Sequence, residues 1–191
     1  PPVGPPRTPE VKVPCFKADR MPRHKLNEFD RQLKGQQDGL NDLTVDEFLK
    51  GRELYEQFGR TADPQVAERA RLAYQAKLEN EELGKHLRNG LSPREARQLA
   101  RQVATNKMKA LAALHNPDMY TGGKDKIADF GDAKVNKSIG AQWGKSLGKK
   151  HPEWDGDKGR FRVHALDEAA QKILPSLRAT TNMNATLTRC K

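Results

Sequence analysis

Residues 44–114, TVDEFLKGRELYEQFGRTADPQVAERARLAYQAKLENEELGKHLRNGLSPREARQLARQVATNKMKALAAL, contain three helix-start signals in succession, and they decide the fold class. Thr44 ahead of Val45-Asp46-Glu47 reads as a capping box, in which the threonine hydroxyl takes the amide of Glu47 and the glutamate reaches back. Phe48, Leu49, Leu54, Tyr55 and Phe58 then form an apolar stripe at helical spacing, and Gly59 stops it. Asp63-Pro64 is an N-cap followed by proline at the first helical position, which opens a helix running to about Asn89-Gly90. Ser92-Pro93-x-Glu95 repeats the device. The third helix carries Ala96, Leu99, Ala100, Val103, Ala110, Leu111 and Leu114 at core spacing, and is expected to deliver the chain in helical form directly to His115.

Outward from this block, residues 25–37 look helical. Residues 10–17 alternate apolar and polar side chains like a short strand, which Pro14 confines to an edge. Beyond Trp143 the chain is rich in glycine and lysine; residues 160–164 alternate like a strand, 167–174 suggest a short helix, and 185–189 a last strand. The expectation is a helix-dominated α+β fold, several helices with a few short strands, in a single domain of residues 11–191. Residues 1–10, with five prolines in the first nine, read as a Pro-rich linker from an upstream region.

The 191 residues suffice for one domain with a real core, yet 35% hydrophobic against 31% charged residues imply a modest core under a heavily solvated surface. No apolar run approaches the roughly 20 residues that cross a bilayer, so membrane insertion by this segment is not expected. No basic-then-apolar leader stands at the start, and the first residue is Pro1; both fit a segment of a larger parent chain. Thirty-five basic and twenty-five acidic residues give a net charge of +10, which attracts polyanions, nucleic acid first. Lys134, Lys137, Lys145, Lys149 and Lys150 fall in a stretch free of acids, and Arg94, Arg97 and Arg101 share one helix flank. These cations can either track a phosphate backbone or simply face water.

Directly behind the helical block comes HNPDMYTGGKDKIADFGDAKVNKSIGAQW, residues 115–143, where imidazole, carboxylates, carboxamides, hydroxyls and paired glycines are concentrated. His115 is the candidate general base, since imidazole exchanges protons near neutrality. Asp118 is the candidate ligand of a hard divalent cation, Mg²⁺ or a similar ion, which keeps several waters and takes one or two protein carboxylates. Pro117 disfavours helix at Asn116, so the tetrad should sit at a helix break with Asn116 capping a new turn. Asp129 and Asp132 are candidates for a second carboxylate or else ordinary surface residues. Asn136, Ser138, Gln142 and Lys145, with Lys134 and Lys137, are candidates for phosphate or DNA binding, Ser138 serving equally as a helix cap. Gly122-Gly123 would let backbone approach a phosphate, and Trp143 either stacks on a base or belongs to the core.

Taken together, His115-Asn116-Pro117-Asp118, Gly122-Gly123, Gly131-Asp132 and Val135-Asn136-x-Ser138-Ile139-Gly140-x-Gln142-Trp143 resemble the polymorphic toxin type 15 family, and Val13-Pro14-Cys15-Phe16 adds to the match. The resemblance covers about residues 11–145. It implies a bacterial DNase, the C-terminal module of a larger effector, secreted by a type VI system and acting in the target-cell cytoplasm. It also implies that His115 and Asp118 are needed for activity and that the producing cell holds a cognate immunity protein, which the charge of this chain suggests is acidic. No element for entering a DNA groove is legible, so cleavage without sequence preference is expected. The alternatives are a non-catalytic basic module that binds nucleic acid, and a metal-dependent hydrolase of RNA or nucleotides.

Other motifs fail. Residues 140–146 fall one short of a phosphate-binding loop and lack a preceding apolar strand, and residues 155–159 begin like a calcium loop but would place Leu166 where a glutamate is needed. Two cysteines far apart, and His24, His86, His151 and His164 without ligand spacing, argue against a structural zinc site. Cys15 and Cys190 would tie the termini together as a disulfide; a cytosolic life favours free thiols.

Overall fold

The computed structural model describes residues 4–191. In chain order the elements are β1 (Val11–Lys12), α1 (Leu26–Asp42), α2 (Val45–Phe58), α3 (Pro64–Arg88), α4 (Pro93–Lys109), β2 (Leu111–His115), β3 (Ile127–Asp132), α5 (Ala133–Trp143), α6 (Arg162–Gln171) and β4 (Ala185–Thr186). The protein is helix-dominated α+β, as its caps indicate. The Thr44 and Ser92 capping boxes both form, and Asp63 caps α3 ahead of Pro64.

The core lies where α1, α2, α5 and α6 meet the β1–β4 pair, and Phe16, Phe29, Phe48, Ile139, Trp143 and Leu166 fill it. β1 and β4 run parallel, and isolated bridges at Arg7–Asn182 and Phe16–Arg189 lengthen the pairing in both directions. Within the stretch read as a linker, residues from Pro6 onward therefore dock on the domain: Asn182 donates to the Pro6 carbonyl and Thr8 is buried. Residues 1–3 lie outside the described residues.

The α3–α4 hairpin packs on the β2–β3 pair. Ala96, Ala100, Ala104 and Met108 recur every fourth residue on α4 and are its buried face, their small side chains allowing close approach to α3. Tyr74 of α3 stacks on Phe130 of β3 at 4.6 Å.

Several expectations are corrected. The third helix ends at Lys109, and Leu111–His115 is a strand paired antiparallel with β3. Its Leu-Ala-Ala-Leu composition favours helix, and pairing with Ile127–Asp132 overrides that local preference. Residues 160–164 are not a strand: α6 starts at Arg162, whose guanidinium turns inward to the carbonyls of Cys15 and Gln142, so that Arg162 and Val163 are both buried. Leu54 and Phe58, read as part of the apolar stripe of the Thr44 helix, are 58% and 66% exposed. Cys15 and Cys190 are joined by a disulfide rather than free, because β1 and β4 run side by side and bring positions 175 residues apart together.

Candidate active site at the end of the second strand

β2 carries His115 to its last position, and the chain then turns through the cis Asn116–Pro117 peptide into a short 3₁₀ turn, Met119–Thr121. One carboxamide on α1 holds both ends of the tetrad. Gln36 donates through Nε2 to the His115 carbonyl (3.0 Å) and accepts through Oε1 the Asp118 amide (2.7 Å). Asp118, rather than Asn116, caps the turn: its Oδ1 accepts the Tyr120 amide at 2.9 Å and the Arg60 guanidinium at 3.1 Å.

Glycines let the surrounding backbone close on this loop. A Cβ at Gly39 of α1 would lie 2.3 Å from the Asn116 carbonyl, one at Gly51 of α2 would lie 2.4 Å from the Gly122 carbonyl oxygen, and one at Gly140 of α5 would lie 3.3 Å from Asp118 Oδ2. Gly122 has φ of 86° and caps the turn in the left-handed region, where glycine is favoured. Gly122-Gly123 thus serve the close packing of the loop; a Cβ on Gly123 would meet the Pro117 oxygen at 2.0 Å.

Gly39→Ala follows as a test of this packing. Alanine in a helix interior gains about 1 kcal/mol over glycine, but here both contacting atoms are backbone, and overpacking of this kind costs about 1–3 kcal/mol or more. The expected outcome is a lowered urea midpoint and a displaced tetrad. Gly35→Ala should cost less, since its Cβ would meet the Asn116 side chain, which can turn away. A Gly39→Ala chain as stable as the parent would refute the contact.

The imidazole of His115 pairs through Nε2 with Asp125 Oδ1 at 3.1 Å, and the other oxygen of Asp125 accepts the Asp63 amide at 2.7 Å. The Asp63 amide first, then the His115 imidazole, hold the Asp125 carboxyl below the usual carboxylate range, so it is ionised at neutral pH. An ionised carboxylate at Nε2 keeps the proton on that nitrogen and leaves Nδ1 with the free lone pair. A cavity of about 450 Å³ opens beside Asp125, lined among others by Leu54, Tyr55, Met119, Gly123 and Lys124.

Of the residues selected from sequence, His115 and Asp118 share one loop, their backbones both held by Gln36. Asp129 and Asp132 are not brought to them. Asp129 stands across from Leu114, but its carboxylate is taken by Arg31. Asp132 stands across from Leu111, at the far end of the strand pair, where it caps α5 and pairs with Lys25 at 2.6 Å. Burial raises the Asp132 carboxyl, but Lys25 and the α5 amides outweigh it and keep it ionised.

Asn136 lies one helical turn before Gly140, on the α5 face turned to Asp118. Gln142 is engaged with both the amide and the carbonyl of Lys17, and Ser138 with Gln142. Ser138, Gln142 and Lys145 line a separate cavity of about 520 Å³ with Lys17, Lys150 and Arg162, and neither His115 nor Asp118 borders it. Lys134, Lys137, Arg94, Arg97 and Arg101 are exposed, while Trp143 is buried in the core and does not stack on any ligand surface. Asp125, Arg60, Gln36 and Asp63 were not legible as site residues. Asp125, ten residues after His115 and within the same polar stretch, had a signal of position alone; Arg60 and Asp63 come from the α2–α3 connection and had none.

The architecture is thus a helix-dominated α+β domain with an imidazole–carboxylate pair at a strand end, three residues before a buried aspartate. A family model described as Novel toxin 15 matches residues 23–190, and the chain belongs to that family of toxin domains. No curated protein matches the chain. Among the described residues no helix is long and apolar enough to cross a membrane.

Proposed function

We propose that this toxin domain is a metal-dependent DNase that hydrolyses phosphodiester bonds without sequence preference, His115 acting as the general base. The observation that carries this reading is the His115–Asp125 pair at 3.1 Å, with Asp118 held by Arg60 three residues further along the same loop. Asp125 orients the ring and stabilises the charge that arises when Nδ1 takes a proton from the attacking water. Arg60, half exposed and bonded to Asp118, is free to reorient toward a non-bridging phosphate oxygen. Asp118 suits a hard cation such as Mg²⁺, because Oδ1 takes both hydrogen bonds while Oδ2 faces Gly140, where no Cβ intrudes. Such an ion would polarise the phosphate and lower the pKa of a bound water. The +10 net charge supports a polyanionic substrate.

The test is incubation of the purified domain with plasmid DNA and with RNA, with Mg²⁺ and with a chelator. Plasmid should be degraded only with the metal, and RNA should persist. Intact plasmid under every condition, or cleavage of RNA alone, would overturn the proposal. Asp125→Asn preserves shape and removes the charge that holds the imidazole; kcat should fall roughly 10- to 100-fold, the usual range for such outer partners, with DNA affinity unchanged. A parental kcat would leave Asp125 without a role.

Family membership further supports delivery by secretion, a type VI system being the proposed route, and an immunity protein in the producing cell. We expect that partner to be acidic and to cover His115 or the lysines of residues 134–150, since complementary charge speeds capture. Raising salt should slow association far more than dissociation in surface plasmon resonance; a salt-independent rate would refute the electrostatic part.

A further inference from the structure

Away from the candidate active site, the disulfide that joins the two ends of the fold has an imidazole packed against it. His151, 3% exposed, places Nε2 3.7 Å from Cys15 Sγ and 3.6 Å from Cys190 Sγ. Among the described residues these three are the group whose potential metal donors all lie within 4.8 Å of one another. Glu153 adds a carboxylate beside them, its Oε2 accepting the Cys15 amide at 2.6 Å.

The spacing is that of a tetrahedral zinc shell. With Zn–S of about 2.3 Å and Zn–N of about 2.0–2.1 Å, a tetrahedral angle separates sulfur and nitrogen ligands by about 3.6 Å. His151 already stands at that separation from both sulfurs. Only the sulfurs, bonded to each other, block the site, since as zinc ligands they would sit about 3.8 Å apart. We propose that the reduced protein binds one Zn²⁺ through Cys15, Cys190 and His151, with Glu153 or a water in the fourth position.

The chemistry balances in two steps. A dithiol reductant exchanges with the Cys15–Cys190 bond, giving two protein thiols and the oxidised reductant, and zinc then replaces the two thiol protons, which pass to solvent. His151 must also change partners. Its Nε2 now donates to the Cys15 carbonyl at 2.8 Å, and its Nδ1 accepts the Glu153 amide at 3.0 Å. On ligation the proton moves to Nδ1. The Cys15 carbonyl keeps both donors of Arg162, at 2.7 and 3.1 Å, and the amide of exposed Glu153 turns to water. A disulfide holds the two ends in oxidising compartments and is lost in reducing ones; zinc on the same sulfurs would hold them in the second.

The test compares full-length protein, oxidised and phosphine-reduced, after removal of metal, using Zn²⁺ in competition with a chromogenic chelator. The reduced chain should take up one equivalent more than the oxidised chain, and the comparison cancels any ion at Asp118, which is present in both. Co²⁺ in place of zinc should give the visible bands of tetrahedral thiolate coordination after reduction only. Cys15→Ser and Cys190→Ser should each lose the extra equivalent, and His151→Ala should weaken it at least about tenfold. Equal uptake by the two redox states of the parent, or a His151→Ala chain with parental affinity, would overturn the proposal. Should the cysteine variants fail to fold, the parent comparison decides alone.

Discussion

His115→Ala should lower the rate of plasmid cleavage by more than about 100-fold, the lower range for loss of a general base. Among the described residues the side chain makes one hydrogen bond, to Asp125, and its loss leaves that carboxylate still bonded to the Asp63 amide. The backbone of the tetrad stays clamped by Gln36 and by the packing of Gly39. Folding should therefore survive, and circular dichroism with a urea titration should separate lost chemistry from lost structure. Cleavage at the parental rate by a pure, folded His115→Ala chain would remove the base from the mechanism.

Trp143→Ala should destabilise the domain by about 3–5 kcal/mol, the usual cost of emptying a large aromatic site. Total stabilities run about 5–15 kcal/mol, so a large fraction of the chains should unfold at modest denaturant. Trp143 is fully buried at the end of α5, edge-on to Phe16 with centroids 5.0 Å apart. Its indole N–H has no partner among the described residues. An unpaired buried donor costs about 1–3 kcal/mol, so the residue is held there by shape and apolar area, not by a hydrogen bond. Trp143→Phe, which removes the donor and keeps a ring, should cost much less than the alanine. A Trp143→Ala chain within 1 kcal/mol of the parent in chemical denaturation would show that this core is not the one described.

The helices were legible because their signals are local. Thr44, Asp63 and Ser92 each act on amides within three residues of themselves, and proline follows Asp63 and Ser92 at the first helical position. His115 and Asp118 were legible for the same reason, as a tetrad within a densely polar stretch. The strand Leu111–His115 was not, since its residues favour helix locally and gain their extended form only from partners twelve or more residues away. The sequence offers Asp129 and Asp132 as a second carboxylate, but the fold pairs one with Arg31 and sets the other at the far end of the strands, while the chain after Met119–Thr121 returns Asp125 to the ring. Arg60 and Asp63 reach the site only because α2 and α3 meet there. The cysteine pair is the clearest division: 175 residues of separation carry no local instruction, and the expected cytosolic setting favoured free thiols. Sequence alone determined the capped starts of α2, α3 and α4, the positive charge and the tetrad, all set by neighbours along the chain. Tertiary structure decided the strands, the partner of His115 and the joining of Cys15 to Cys190, because each depends on contacts between segments that no short-range pattern encodes.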